Sequence, residues 1–273
     1  KLHIYHYPGR YQKSDAGDKL SNIRLESQQA LAKILSGDSY CRGFVAGYTF
    51  TLKNHVNHAV NSEYLISHLS VQANQTRYQN QFQALDKSTS YRPPQVTPKP
   101  RIYGSQTALV VGKSGEEIWT DKYGRIKIQF YWDKQGKKDE KSSCWIRVAQ
   151  MWAGKGWGSQ HIPRIGSEVV VSFLDGDPDR PIVTGTVYNA NQTLPYNLPD
   201  KQTTSTLMSR SSKKGEAGNE LRFDDTKDAE ELYLHAQKNM KVVIENARTE
   251  TLNKGDDTLA IKKGNRSETI SEG

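Results

Sequence analysis

The chain has 273 residues, a formal net charge of +8, 35% hydrophobic and 25% charged residues. It is long enough for two or three small domains and too polar for one globule around a single large core. No stretch approaches the roughly 18 consecutive apolar residues of a membrane helix, and the start, Lys1-Leu2-His3-Ile4, lacks the basic-then-apolar order of a cleaved signal.

The first segment, residues 1–92, mixes one helix with strands. Ile23, Ala30, Leu31, Ile34 and Leu35 recur at helical spacing between Ser21 and Ser36, and Gly37 stands where a C-terminal cap belongs. Residues 43–52 and 64–71 are rich in aromatic and β-branched side chains and read as strands, part of an α+β or barrel domain. A proline-rich connector follows at 93–104, with Pro93, Pro94, Pro98 and Pro100 favouring extended geometry over helix.

The middle segment, 105–192, holds all five tryptophans, Trp119, Trp132, Trp145, Trp152 and Trp157. Ile126, Ile128, Phe130 and Trp132 alternate with polar neighbours, the period of a strand with one buried face. Further strands are expected at 107–111, 144–150, 168–174 and 181–188. Five strands in so short a span predict a small closed barrel of the OB type.

A linker, 193–242, leads to a tract that repeats itself. Leu252, Ile261 and Ile270 each stand three places before a glycine, Gly255, Gly264 and Gly273, with a period of nine, and Val243 with Asn246 fits the same frame. One aliphatic residue per nine makes no core within a single chain. Such a unit becomes stable when its apolar row meets equivalent rows from neighbours, as in stacked or intertwined β-helices. Glycine supplies the positive φ of each corner, and the corner absorbs the odd residue of the period. The tract 243–273 therefore predicts a homo-oligomer. The absence of an initiating Met and a last residue inside the repeat point to a piece of a longer chain.

Candidate chemistry is sparse. Asp175, Asp177 and Asp179 alternate like the opening of a calcium loop, but Arg180 and Thr186 occupy the places that need Gly and Glu, so a tight acidic hairpin is expected. His55 and His58 lack a nearby third metal ligand. His161 has nothing to orient it towards Cys144 as a nucleophile pair. Gly154-Lys155-Gly156-Trp157-Gly158 lacks phosphate-loop spacing, and no nucleophile-elbow or zinc-protease motif occurs. Cys41 and Cys144 read as free, half-buried thiols. Catalysis, metals and cofactors are not expected. Arg125, Lys127 and Tyr131 share a face of one barrel strand, as in barrels that bind single-stranded nucleic acid. However, Glu116, Glu117, Asp133, Asp139 and Glu140 nearly cancel their charge, and no run of five basic residues occurs, so a nucleic-acid partner is not expected.

With these residues laid out, the chain resembles the VgrG spike proteins of bacterial type VI secretion systems and, through them, the hub and spike of contractile phage tails. The resemblance rests on Tyr7-Pro8-Gly9-Arg10-Tyr11, on Tyr91-Arg92-Pro93-Pro94 through Lys99-Pro100-Arg101-Ile102-Tyr103-Gly104, and most densely on the middle segment. There Asp121-Lys122-Tyr123-Gly124-Arg125-Ile126-Lys127, Ser143-Cys144-Trp145-Ile146-Arg147-Val148, the stretch from Trp152 to Gly158 and Gly176-Asp177-Pro178-Asp179-Arg180-Pro181 match, as do Asn219 to Asp225 and Leu234-His235-Ala236-Gln237.

The resemblance implies a mainly β chain: the C-terminal part of a hub-like domain, an OB barrel, a linker and the start of an intertwined triple-stranded β-helix. It implies a homotrimer with Leu252, Ile261 and Ile270 at the axis and Gly255, Gly264 and Gly273 at the corners. It further implies assembly in the bacterial cytoplasm on a secreted tube protein, a tip-capping protein and effectors at the needle, and transient contact with a target-cell membrane during secretion. A phage or prophage tail spike shares every module. The phage repeat is commonly eight residues rather than nine, so the needle's detailed geometry does not carry over.

Overall fold

The computed structural model describes residues 3–9 and 11–271, in two compact units, Lys1–Lys99 and Pro100–Gly273. The fold is mainly β, as the sequence predicts.

In the first unit, helix α1 spans Ser14–Ala30, and strands β1 (Leu35–Ser39), β2 (Thr49–Thr51), β3 (Glu63–Ala73) and β4 (Tyr78–Asp86) form an antiparallel sheet in the order β1-β4-β3-β2. The helix begins a full two turns before the apolar periodicity because its buried positions are the small residues Gly17 and Ala30. The Tyr11 ring covers Gly17 so closely that a Cβ there would meet it at 2.7 Å. Gly37 does not cap the helix. It lies in β1 opposite Phe82, whose ring would stand 2.8 Å from a Cβ on Gly37. Phe82 packs with Phe44 and Phe50, and Phe50 with Tyr64, at centroid separations of 5.3 to 5.8 Å. The other face of this sheet is polar: His68, Ser70 and Gln72 of β3 pair with Gln83, Gln81 and Gln79 of β4.

The second unit opens with a five-stranded sheet. Strands β5 (Gln106–Val111), β6 (Lys127–Phe130), β7 (Arg147–Val148), β8 (Glu168–Phe173) and β9 (Pro181–Val187) run in the order β6-β5-β8-β9-β7. The two ends of that order are joined by an antiparallel bridge between Ile126 and Ile146, with both N–H···O bonds at 2.9 Å, so the sheet curls shut. Closure removes free edges. Ala108, Val110, Ile126, Ile128, Ile146, Val169, Val171 and Val183 fill the interior. Trp132 departs from the expected alternation. β6 ends at Phe130, a turn closes from Asp133 N–H to the Phe130 carbonyl, and Trp132 is 66% exposed. It stacks on Phe130 at 5.3 Å and donates its Nε1–H to Gln106. Cys41 and Cys144 are both free and exposed rather than half-buried.

After the barrel, β10 (Thr204–Met208), β11 (Glu220–Asp224) and β12 (Glu231–His235) form a separate antiparallel sheet. Its β10–β11 loop is tied to the barrel by the Lys213–Glu116 ion pair at 2.9 Å, a Lys214 N–H bond to Glu117, and a 2.5 Å bond from Arg164 to the Arg210 carbonyl. Among the described residues from 236 onward no strand or helix forms. The chain runs on with bends at 245–246, 253–255 and 262–264, nine residues apart in the last two cases.

Candidate assembly surface

The sheet β10-β11-β12 has two unlike faces, and the register explains them. Thr206 pairs with Arg222 and Arg222 with Tyr233, which puts polar groups on one side. Arg222 donates to the Tyr196 hydroxyl at 3.0 Å and to Glu231 at 2.5 Å, with its guanidinium 4.4 Å from the Tyr233 ring centroid. The Tyr196 hydroxyl donates to Glu220, and that bond pushes the phenol pKa above its ordinary range. Arg222 is thus held between Tyr196 and Glu231, although its Nε is buried without a partner among the described residues.

On the opposite face Leu207, Leu221 and Leu234 align in one row, and Phe223 and Leu232 in the next. Among the described residues Leu207, Phe223, Leu232 and Leu234 are all exposed, and Leu221 between them is half-buried. A strand face with five large apolar side chains in contact with water loses the main term that holds sheets together.

The imbalance sharpens along the following tract. Among the described residues, none of the backbone N–H and C=O groups from 240 to 271 pairs with the chain's own backbone. Leu252 is 51% exposed, Ile261 47% and Ile270 77%. Gly255 and Gly264 lie at the bends with φ of 97° and 112°, where a β-carbon is strained. Gly273 lies outside the described residues. Backbone without intrachain partners over so long and exposed a stretch is left to water or to strands from other chains. The sequence pattern located the apolar row of the repeat. It did not single out the apolar face of β10-β11-β12, although alternation at Leu221, Phe223 and at Leu232, Leu234 is visible in the sequence.

The remaining candidates resolve into local structure. Asp175, with φ of 57°, pairs with Arg180 at 2.6 Å, and Asp177 accepts from the Asp179 N–H in the turn joining β8 to β9. The His55 ring accepts from the Asn57 N–H at 3.1 Å, and His58 opens a short 3-10 turn. The His161 N–H donates to Gln150 at 2.8 Å. The Gly154–Gly158 stretch is a small hairpin in which Trp152 and Trp157 meet edge to face, and Gly154 leaves room for the Trp157 ring.

Arg125 is bound to Asp121 at 2.6 Å, and this hydrogen-bonded ion pair holds the Asp121 carboxyl below its usual range. Lys127 donates to the Ser143 carbonyl at 2.5 Å and lies 4.9 Å from the Trp145 ring centroid. Tyr131 falls beyond the end of β6. Burial and then the nearby Glu168 raise its phenol pKa. Arg125 and Lys127 are thus both engaged by the barrel itself.

Comparison with known proteins follows the same modules. Residues 1–77 match the family model described as phage tail baseplate hub (GPD), residues 112–188 the type VI secretion system/phage-baseplate injector OB domain, and residues 205–272 the bacteriophage T4 gp5 C-terminal trimerisation domain. The chain is 47% identical over 259 residues to the type VI secretion system spike protein VgrG1b of Pseudomonas aeruginosa, covering 90% of this chain and 35% of the relative. It is 41% identical over 257 residues to spike protein VgrG3 of Vibrio cholerae, covering 90% of this chain and 25% of the relative. A solved structure of the E. coli c3393 protein, described as a component of the type VI secretion system similar to T4 tail proteins gp27 and gp5, superposes with a TM-score of 0.49 at 26% identity. That superposition covers 65% of this chain and 44% of the other. The chain spans about a third of the length of the curated relatives it matches. Hub, OB and trimerisation modules stand here in one order, and nine-tenths of the chain aligns at 47% identity with a secretion spike: the chain is similar to the VgrG spike proteins of type VI secretion systems over about a third of their length.

Proposed function

We propose that this chain forms part of a homotrimeric spike that sits on the secreted tube of a type VI machine, carries effectors behind a capped tip, and is driven through a target membrane by force. The observation that carries the reading is the tract 240–271, extended, one-sided and without backbone partners of its own. Two further copies supply those partners. Leu252, Ile261 and Ile270 then fill the axis, and Gly255, Gly264 and Gly273 turn the corners. The apolar face of β10-β11-β12 continues the same interface towards the barrel.

A needle held by interchain β-pairing has few free edges and satisfies its backbone polar groups internally, which suits passage through hydrocarbon. The hub and barrel units are the base, and the work they do is mechanical rather than catalytic. Identity to secretion spikes favours this machine over a phage tail. Assembly takes place in the bacterial cytoplasm, followed by export.

Light scattering on the purified chain tests the trimer. A mass about three times 30.8 kDa is expected. A monomer, both here and with further needle residues appended after Gly273, overturns the reading.

A further inference from the structure

The nine-residue period aligns charged residues as well as aliphatic ones. Arg248, Asp257 and Arg266 fall in one column, Glu250, Leu259 and Glu268 in a second, and Leu252, Ile261 and Ile270 in a third. Residues two apart on extended backbone share a face. The structure shows this directly at both ends of the tract: Arg248 pairs with Glu250 at 2.6 Å and Arg266 with Glu268 at 3.3 Å. In the middle repeat the pair is broken. Leu259 stands where the other repeats have Glu, the Arg position is Asp257, and Asp257 makes no ion pair among the described residues.

We propose that the chains of the trimer stack with a stagger of one repeat, so that Asp257 of one copy lies between Arg248 of a second and Arg266 of the third. This interchain Arg–Asp–Arg ladder sets the register of the needle. The inference rests on the trimeric reading above.

The alternatives are worse for a physical reason. Neighbouring strands lie about 4.8 Å apart, so groups in one column touch. With no stagger, Arg248 meets Arg248, Glu250 meets Glu250 and Asp257 meets Asp257, and like charges directly opposite one another destabilise a sheet. A stagger of two repeats sets Arg248 against Arg266 and Glu250 against Glu268. At one repeat every step of the first column joins opposite charges, and Leu259 separates Glu250 from Glu268 in the second. The column at the bends, Glu245, Lys254 and Lys263, has one favourable and one unfavourable step and does not decide the register. Because these charges lie on the same face as the apolar row, a wrong register leaves them desolvated and unpaired, which is the condition under which polar groups specify register most strongly.

The test uses the full chain. Asp257→Arg is expected to lose the threefold mass at concentrations where the parent keeps it, while Asp257→Asn keeps the mass and melts at a lower temperature. Inverting the whole set, Arg248→Glu, Glu250→Arg, Asp257→Arg, Arg266→Glu and Glu268→Arg together, is expected to regain the threefold mass. If Asp257→Arg assembles and melts like the parent, or if the inverted chain stays monomeric, the ladder is overturned while the trimer stands. A monomeric parent overturns the trimer and the ladder with it.

Discussion

The barrel and the repeat tract solve the same problem in opposite ways. In the barrel, β5 to β9 pair with one another, the Ile126–Ile146 bridge joins the ends of the sheet, and eight aliphatic side chains are sealed inside. In the tract, the backbone groups of 240–271 find no backbone partner among the described residues, and Ile261, the most covered of its three row residues, is still 47% exposed. A strand that alternates within a set of five can close on itself. A strand with one aliphatic residue per nine has to borrow its neighbours. Barrel stability is therefore a property of one chain, and tract stability a property of concentration.

The largest effect that would break this contrast is expected at Ile261. Ile261→Asp puts a charge on the apolar row, and the threefold mass should vanish while the barrel still unfolds cooperatively; an unchanged oligomer and melting curve would remove Ile261 from the axis. Next comes the barrel core. Ile128→Ala should cost roughly 2–5 kcal/mol of barrel stability through lost burial and the cavity left behind, read by denaturant unfolding of the fluorescence of the five tryptophans. That loss should not depend on protein concentration, and a concentration-dependent midpoint would mean that the barrel too relies on partners.

A smaller loss is expected at the corners. Gly264→Val forces a β-branched residue to φ near 112°, at an expense of about 1–3 kcal/mol per chain. Trimer melting should fall, while the same change at Gly104, which has open space around it and no positive φ, should leave melting unaltered. The smallest effect concerns acid. The Arg125 ion pair lowers the Asp121 pKa in the folded barrel, so its stabilisation is present above the unfolded carboxyl pKa and fades as pH falls through the folded one, below about pH 4. Asp121→Asn should flatten barrel stability across that range; an unaltered pH profile would show that the pair does not contribute.

Much of the barrel was legible because strand alternation is local. Ile126 and Ile128 are both fully buried, as their period implies, and the last two strands begin at the expected residues, Glu168 and Pro181. Where the structure departs from these periods, turns, small residues and contacts distant in sequence decide the outcome. Trp132 follows the same alternation yet turns outward, because Asp133 closes a turn on Phe130 and Gln106 offers the indole a partner. Gly37 looks like a helix cap from its neighbours alone, and only Phe82, forty-five residues on, explains why no side chain fits there. The helix starts two turns ahead of the apolar rhythm because its burial rests on Gly17 and Ala30, residues too small to give one.

What the sequence determined by itself was therefore whatever repeats at short range: the period of two in the barrel strands, the period of nine in the tract, the positive-φ glycines at its bends, and the one-sidedness that requires copies of the chain. Tertiary structure alone decided which small residues admit a ring, which cations the barrel keeps for itself at Asp121 and Ser143, and that Leu207, Leu221, Phe223, Leu232 and Leu234 converge on one open face. The physical reason is that periodicity reports how a residue faces relative to its own strand, whereas burial depends on what the rest of the chain brings to that face.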